Sequence, residues 1–249
     1  MNNLQIIHGH PVIELLSVDS SNNYAASLLN NGNPTEGTVI LSHFQSEGRG
    51  QRGTSWLAKP RQNLTFSIIT YPKFVKPDHA FLLTQISALA ICQAVDRLVK
   101  GPVEIKWPND IMINGVKVAG ILIENSLVGK TIDSSIIGIG LNVNQSDFEG
   151  IRATSLANIK DSNLGLIDCL AEILEAFDNM YGRAQKGDLD EIQKEYHSRL
   201  FRLNKEHPFR IKGDKQPATI QHVDERGNLV LRTASGNVTA GIKEIEFLF

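Results

Sequence analysis

The sequence predicts an α+β fold, a mixed β-sheet with flanking helices followed by a small β-barrel at the C-terminal end. Up to about residue 200, short β-branched runs occur together with segments of helical periodicity. After residue 208, strand-length segments separated by turns follow one another, a pattern typical of a small barrel. We therefore predict a larger domain over residues 1–203 and a smaller one over residues 204–249.

The individual elements follow from local signals. A short helix is expected after Ser20 and Ser21, because serine is a common helix cap and apolar residues then recur at helical spacing. Asn114-Gly115 predicts a tight hairpin between two strands, because this pair favours the turn that joins antiparallel strands. Predicted helices span residues 22–29, 78–100, 164–185 and 188–200, and predicted strands include 38–42, 64–71, 136–143, 208–212, 218–223, 228–232, 238–242 and 244–249.

Composition excludes several classes of protein. Lys and Arg number 25 and Asp and Glu 27, so no overall charge draws the chain to nucleic acid or to a membrane. The two cysteines, Cys92 and Cys169, are too few and too far apart for a disulfide framework or a thiolate metal cluster. The N-terminus lacks a signal-peptide pattern, and we expect no segment able to span a bilayer, which predicts a cytoplasmic protein.

Positive charge is concentrated in one stretch of the chain. Residues 48–77 contain no Asp or Glu but six basic residues, namely Arg49, Arg52, Lys59, Arg61, Lys73 and Lys76. At its start, Gly48, Gly50 and Gly53 have the spacing of a dinucleotide-binding fingerprint, but neither the required helix nor an acidic residue about 20 positions later follows. The stretch is instead interpreted as a loop that binds phosphate or carboxylate oxygens, or as a mobile solvated loop.

A second group of polar residues surrounds the predicted hairpin. Strict alternation along the strand after the turn would place Lys117 on one face with Ala119 and Ile121. A lysine among apolar neighbours is either solvated at a strand end or buried beside an anion. Asp110 is either part of the same site or an ordinary turn residue.

Together these segments resemble the motifs of the biotin protein ligases. The motifs are SSN at 20–22, Gln45 with GRGQRG at 48–53 and Trp56, KWPND at 106–110, KVAGILIE at 117–124 and GIGLN at 138–142. Their order over about 120 residues is specific. The resemblance implies a catalytic domain related to class II aminoacyl-tRNA synthetases and a C-terminal SH3-like barrel. Gln51 departs from the family pattern, where many relatives have arginine.

The resemblance implies that the carboxylate of biotin is joined to the α-phosphate of ATP, with Mg²⁺. The biotinyl group then passes to a lysine of the biotin carboxyl carrier protein of acetyl-CoA carboxylase or a related carboxylase. The catalytic residues implied are Lys117, Arg49, Arg52 and Asp110, with Asp110 also implied as the metal ligand. The biotin contacts implied are Ser20, Ser21, Asn22, Gln45, Arg49, Gly50, Gln51, Lys117, Gly120, Gly138 and Gly140. The ATP contacts implied are Arg49, Gln51, Arg52, Trp56, Lys106, Asn109, Lys117 and Asn142.

The chemistry of the residues agrees with this expectation. Both partners of the first step are anions, so positive groups must offset their repulsion. The ureido end of biotin is neutral, and hydroxyl and amide side chains are suitable partners for it, whereas the ring of lipoate offers no such groups. Trp56 and Trp107 flank the motifs, and each is interpreted either as a stacking partner for adenine or as a core residue.

Three alternatives remain at the level of sequence. The first is a lipoate or octanoate ligase or transferase of the same superfamily; its octanoyl-transfer branch requires a reactive cysteine. The second is a biotin-sensing repressor, although the 19 residues before Ser20 are too few for a helix-turn-helix domain, and we expect no DNA partner. The third is a C-terminal barrel that binds a peptide. A homodimer is compatible with the sequence.

Overall fold

The computed structural model describes residues 3–248, apart from the side chains of Asn3 and Arg52. One sheet contains β1 (Asn3–Ile7), β2 (His10–Leu15), β3 (Val39–Ser42), β4 (Leu64–Thr70), β5 (Val103–Lys106), β6 (Asp110–Ile113), β7 (Val116–Val128) and β8 (Thr131–Leu141). The helices are α1 (Ser21–Asn31), α2 (Phe81–Leu98), α3 (Leu156–Lys160), α4 (Leu166–Gln185) and α5 (Leu189–Ser198). The other sheet contains β9 (Glu206–Ile211), β10 (Asp214–Val223), β11 (Leu229–Thr233), β12 (Gly236–Ala240) and β13 (Ile245–Phe247).

The first sheet is mixed, as the sequence predicts. Its strands are ordered β1-β2-β3-β4-β8-β7-β6-β5. Strands β2 and β3 run parallel, and the other neighbouring strands are antiparallel. Helices α2 and α4 pack together over the face that carries most of the apolar core, whereas α1 lies on the opposite face against β3, β4 and β8. The result is a mixed sheet covered by helices on both faces.

Alternation along β4 explains why the two faces differ. Phe66 and Ile68 point into the large core, while Thr65 and Ser67 point to the α1 face. Because successive side chains of a strand point to opposite faces, the two hydroxyls share one face. Opposite them in β8 are Gly138 and Gly140. A polar face with little side-chain volume therefore lies beside α1.

The predicted elements are present, with a few additions. The hairpin at Asn114-Gly115 is confirmed, with φ of 51° and 73° at the two turn residues. Strands β1 and β2 and the short helix α3 were not predicted, because they are short and interrupted by polar residues such as His10 and Glu14. The predicted strand over 136–143 is the second half of the longer strand β8.

One helical segment bears on the expectation that no segment is able to span a membrane. The helical segment Pro77–Leu98 meets that test by length and composition, with a mean hydropathy of 1.3. Within it, 61% of the apolar window is buried inside the protein, and the core helix of a globular domain passes the same test. The segment contains α2, the central helix of the core.

The smaller sheet is antiparallel, with the strand order β12-β11-β10-β9-β13. Its five strands agree with the five predicted ones. Within residues 3–248, β12 and β13 are the two edges, so the pairing describes an open sheet. One contact that joins it to the rest of the protein is made by Trp107, whose indole Nε1 donates to the carbonyl of Gly227 at 3.0 Å.

Candidate active site

A cavity of about 390 Å³ lies on the α1 face of the mixed sheet. It is large enough for a small organic ligand. Its walls include every predicted site residue except Arg52 and Asn142, namely Ser20, Ser21, Asn22, Gln45, Arg49, Gly50, Gln51, Trp56, Lys106, Asn109, Asp110, Lys117, Gly120, Gly138 and Gly140. The side chain of Arg52 lies outside the described part of the structure. Segments up to 120 positions apart in the chain thus meet at one site.

One end of the cavity is polar and uncharged. At the start of α1, the backbone N–H of Ser21 donates to Oε1 of Gln45 at 2.6 Å. The Oγ of Ser67 lies 2.7 Å from Oγ of Ser21 and donates to Oδ1 of Asn22 at 2.6 Å. Ser20 occupies the N-cap position of α1 but makes no side-chain cap bond. Three buried residues and the half-buried Gln45 form a neutral cradle, which we define as Ser21, Asn22, Gln45 and Ser67.

Glycine is required beside this cradle for steric reasons. Gly138 pairs with Ser67 across the strands, and a Cβ at position 138 would overlap Oδ1 of Asn22. Similarly, a Cβ at Gly140 would overlap the indole of Trp56, which packs on this part of the sheet. The glycines therefore allow neighbouring side chains to lie directly on the backbone.

The other end of the cavity is charged. Lys106 is the last residue of β5 and pairs in register with Asp110, the first residue of β6. Nζ of Lys117 lies 2.6 Å from Oδ1 of Asp110, and Nζ of Lys106 lies 3.8 Å from Oδ2. Burial lowers the pKa of Lys106 from its ordinary value, although the nearby Asp110 carboxylate favours its charged form. Two ammonium groups thus share one carboxylate, which leaves net positive charge at this end.

The expected face of Lys117 was wrong. A β-bulge interrupts the alternation, because Ile111 pairs with Ala119 while Met112 pairs with Lys117. Val118 and Ala119 are consequently both fully buried in the core. The bulge turns Lys117 to the face of Gly120, where an added Cβ would lie 3.3 Å from the lysine Nζ. Lys117 therefore points into the cavity and not towards Ile121.

The glycine-rich loop closes over the cavity. Residues Gln51–Gly53 form a single 3-10 turn, and residues 54–63 contain no helix, which agrees with the rejection of a dinucleotide fingerprint. A Cβ at Gly48 would overlap the carbonyl of Trp56, so the loop returns tightly on itself. Nη2 of Arg49 lies 2.7 Å from Oε2 of Glu124 in β7. The loop and the sheet are therefore joined by an ion pair.

The two tryptophans have different environments. Trp107 is only 2% exposed and belongs to the core, where its indole bonds to Gly227. Trp56 lines the cavity, and Nζ of Lys117 lies 5.5 Å from the centre of its ring. Its Nε1 is buried and has no hydrogen-bond partner among the described residues. Both tryptophans border the cavity, and Trp56 is the more exposed of the two.

The two asparagines predicted to contact ATP lie in different environments. Asn109 lines the cavity, and its Nδ2 donates to the carbonyl of Ile121 at 2.7 Å. Asn142 is 3% exposed, does not line the cavity, and donates to the carbonyl of Thr154 at 3.0 Å. The structure therefore brings Asn109, but not Asn142, to the site. Asn142 holds the chain that follows β8.

Several residues of the site were not predicted. Thr65 of β4 lines the cavity, and Ser67 of the same strand contacts Ser21 and Asn22 from behind it; their alternation within an apolar strand was an available signal. Glu124 contacts both Arg49 and Asn22 at 2.7 Å. Strand β13 supplies a wall from the smaller sheet, and Phe247 lies 5.4 Å from Nζ of Lys106. No local pattern connects β13 to the motifs that precede it by more than 100 positions.

The described residues do not include a group of three or more His, Cys, Asp or Glu side chains that could hold a metal ion. Asp110 is the one carboxylate beside the lysines at the charged end, and both lysines already pair with it. Mg²⁺ is commonly held by one or two carboxylates together with substrate phosphates. The protein residues alone therefore do not fit a preformed magnesium site.

The chain was compared with known proteins. Residues 15–142 match the biotin/lipoate A/B protein ligase family. The bifunctional ligase/repressor BirA of Bacillus spizizenii is 34% identical over 169 residues, which is 66% of this chain and 52% of that protein. The biotin--[acetyl-CoA-carboxylase] ligase of Paracoccus denitrificans is 28% identical over 217 residues, or 84% of this chain and 89% of that protein. The chain thus spans about half the length of the BirA relative.

Among solved structures, the biotin protein ligase from Aquifex aeolicus in complex with biotin and ATP superposes with a TM-score of 0.80 and 26% identity. The match covers 95% of this chain and 98% of that one. It includes the mixed sheet that carries the cavity. The family match covers residues 15–142, and with them the ordered motifs that line the cavity. The chain belongs to the biotin/lipoate A/B protein ligase family.

Proposed function

We propose that the chain is an ATP-dependent ligase that activates biotin as biotinyl-5'-AMP and transfers the biotinyl group to a lysine of a biotin carboxyl carrier protein. One observation carries the proposal. A single cavity has a neutral cradle at one end and the Lys106–Asp110–Lys117 group at the other. Biotin has a matching distribution of groups, with a neutral ureido ring at one end and a carboxylate at the other.

The cradle suits the ureido group. Such a group has two N–H donors and one carbonyl acceptor, so it needs both acceptors and donors from the protein. Oδ1 of Asn22 is an acceptor, and the hydroxyls of Ser21 and Ser67 can serve in either sense. The ring of lipoate has no N–H or carbonyl group that could bond with these side chains, which disfavours lipoate.

The charged end suits the first step of the reaction. A biotin carboxylate oxygen forms a bond to the α-phosphorus of ATP, and the bond to the pyrophosphate oxygen breaks. Two unit charges about 4 Å apart interact by roughly 4 kcal/mol at an effective dielectric near 20. Lys117, which the bulge turns into the cavity, is placed to offset this repulsion, and Asp110 fixes the position of its ammonium group.

In the second step, the neutral amine of a carrier lysine attacks the acyl carbon of biotinyl-5'-AMP. An amide bond forms, AMP leaves with the electron pair of the broken acyl–oxygen bond, and the amine loses a proton. Arg49 and the glycine-rich loop close the cavity above the reacting groups. Water is thereby restricted from the reactive anhydride. Arg52 and Gln51 are proposed as further contacts to the phosphate.

The octanoyl-transfer alternative receives no support from the cysteines. The chain has two, and both are buried in helices α2 and α4, outside the cavity wall. Burial raises the pKa of the Cys92 thiol to about 12 and that of Cys169 to about 11. Thiols with raised pKa values are poor nucleophiles near neutral pH.

The proposal extends to domains and partners. We propose residues 1–203 as the catalytic domain and residues 204–249 as a smaller SH3-like domain, of which strand β13 lines the cavity. The proposed acceptor is the carrier protein of acetyl-CoA carboxylase or a related carboxylase, and the proposed compartment is the cytoplasm. Mg²⁺ would be held mainly by the ATP phosphates, because Lys106 and Lys117 already pair with Asp110. Neither DNA nor a membrane is part of the proposed reaction, and a homodimer is compatible with it.

The proposal is tested by pyrophosphate exchange into ATP, measured separately with biotin, lipoate and octanoate. We expect exchange with biotin and none with the other two acids, followed by biotinylation of a purified carrier domain. Exchange with lipoate but not with biotin would overturn the assignment. Exchange with biotin but no transfer to any carrier domain would limit the assignment to adenylate formation.

A further inference from the structure

Glu124 connects the neutral cradle to the glycine-rich loop. Its Oε2 accepts from Nδ2 of Asn22 at 2.7 Å and from Nη2 of Arg49 at 2.7 Å. Asn22 is 3% exposed and is held from its other side by Ser67. One carboxylate oxygen therefore serves both a buried amide of the cradle and a cation of the loop.

The two contacts of Glu124 differ in strength. The Arg49–Glu124 pair is exposed, with 41% and 38% of the two side chains accessible, so the ion pair is weak and easily exchanged. The contact to Asn22 lies at the buried end of the site, where losing the acceptor would leave an amide N–H with only the longer 3.4 Å contact to Leu122. The amide contact is thus firm, and the arginine contact is replaceable.

The charge of Glu124 also affects any anion in the cavity. Arg49 lines the cavity and is one of the positive groups available to a carboxylate or phosphate there. Because Glu124 lies against the same guanidinium, it neutralises part of that charge and repels a second anion. A neutral ligand bound to the cradle would not experience this repulsion.

We propose that Glu124 is a positioning residue that orients Asn22 and competes with the anionic group of the ligand for Arg49. The inference rests on the proposed function for the identity of the ligand, and it adds a specificity-determining role that the motifs did not indicate. Glu124 lowers the affinity for free biotin without lowering the affinity for a neutral biotin derivative. When the carboxylate of biotin or its adenylate occupies the charged end, the side chain of Arg49 leaves Glu124 and contacts the ligand.

Glu124→Gln separates the two roles, since the amide retains an acceptor for Asn22 but loses the negative charge. We expect this variant to bind biotin about two- to fivefold more tightly, equivalent to about 0.4–1 kcal/mol. Its affinity for biotin methyl ester should be unchanged. Glu124→Ala removes both functions, and the ester should then bind more weakly because Asn22 loses its acceptor.

The measurement is the dissociation constant of biotin and of its methyl ester by isothermal titration calorimetry on the full chain. Glu172→Gln is the matched control, because Glu172 also forms an exposed ion pair, 3.1 Å from Arg97 on the helical face, away from the cavity. It should change neither affinity. In an Arg49→Gln background, Glu124→Gln should no longer alter the ratio of acid to ester affinity.

An unchanged acid-to-ester ratio in Glu124→Gln, or weaker binding of the acid, would overturn the inference. If Glu124→Gln does not fold, Glu124→Ala still decides it, because removing the negative charge should raise the ratio of acid to ester affinity even though Asn22 loses its acceptor. Equal loss for both ligands would then contradict the competition. Failure of the unaltered protein to bind either biotin compound would instead refute the proposed function, so the two failures are distinguishable.

Discussion

Replacing Lys117 with methionine tests the charged end of the site most directly. The side chains have similar length, so the contact of the stem with the Trp56 ring and with Gly120 is kept while the ammonium group is removed. In the unaltered protein this ammonium group lies 2.6 Å from Asp110 and reaches the cavity through the bulge in β7. The variant therefore removes charge with little change in shape.

The expected effect follows from the position of the charge. Two unit charges about 4 Å apart interact by roughly 4 kcal/mol at an effective dielectric near 20, and partial exposure of the lysine reduces this to about 2–4 kcal/mol. Since each 1.36 kcal/mol changes a rate tenfold, formation of biotinyl-5'-AMP should slow by about 30- to 1,000-fold. Loss of the partly exposed ion pair should cost about 1 kcal/mol of stability or less, a fall in Tm of roughly 2–4 °C.

The assay is single-turnover formation of biotinyl-5'-AMP, together with thermal unfolding followed by circular dichroism. Lys130→Met is the matched control, because Lys130 is exposed in the turn between β7 and β8, and its activity should equal that of the unaltered protein. Lys117→Arg should retain part of the activity because it retains the charge. A folded Lys117→Met variant with a rate within about threefold of normal would refute the assignment of this lysine to the reacting groups.

Three further predictions concern the cradle, the domain contact and the buried lysine. Gly138→Ala should weaken biotin binding by about 5- to 150-fold, because the added methyl group overlaps Asn22. Titration calorimetry measures this affinity, and a normal value would show that the cradle is not the biotin site. Trp107→Phe should destabilise the chain by about 1–3 kcal/mol in denaturant unfolding by leaving the buried carbonyl of Gly227 unpaired, whereas an unchanged midpoint would show that this bond is unimportant. Burial lowers the pKa of Lys106 from its ordinary value of 10.5, so its ammonium group loses its proton at a lower pH than an exposed lysine does. ATP affinity should therefore fall as the pH rises towards 10.5. Lys106→Arg, which stays charged, should show a flatter pH profile, and identical profiles would contradict this role.

Much of the site was predictable from the sequence because its residues occur in short, ordered motifs. The glycine loop could be separated from a dinucleotide fingerprint by the lack of a following helix, and in the structure it contains only a single 3-10 turn. The neutral character of the cradle was readable from Ser21, Asn22 and Gln45. Polar residue types and turn signals are local properties, so they can be recognised without knowledge of the fold.

Other features depended on contacts between distant segments. Alternation alone misplaced Lys117, because a bulge arises from the pairing of two strands and not from the residues of one. Asn142 belongs to the same motif as Gly138 and Gly140, which line the cavity, yet its side chain bonds to the carbonyl of Thr154. The sequence assigns no role to Glu124, whereas the structure places its Oε2 between Asn22 and Arg49.

By itself, the sequence determined the α+β class, the hairpin at Asn114-Gly115, the five C-terminal strands and the set of groups that can bind an anion and a neutral ring. These depend on residue type, periodicity and turn geometry, which act over a few positions. Only the tertiary structure decided which faces those groups share, that β13 completes the cavity wall, and which carboxylate contacts the loop arginine. Register and packing set those relations, and they depend on energies summed over segments that are far apart in the chain.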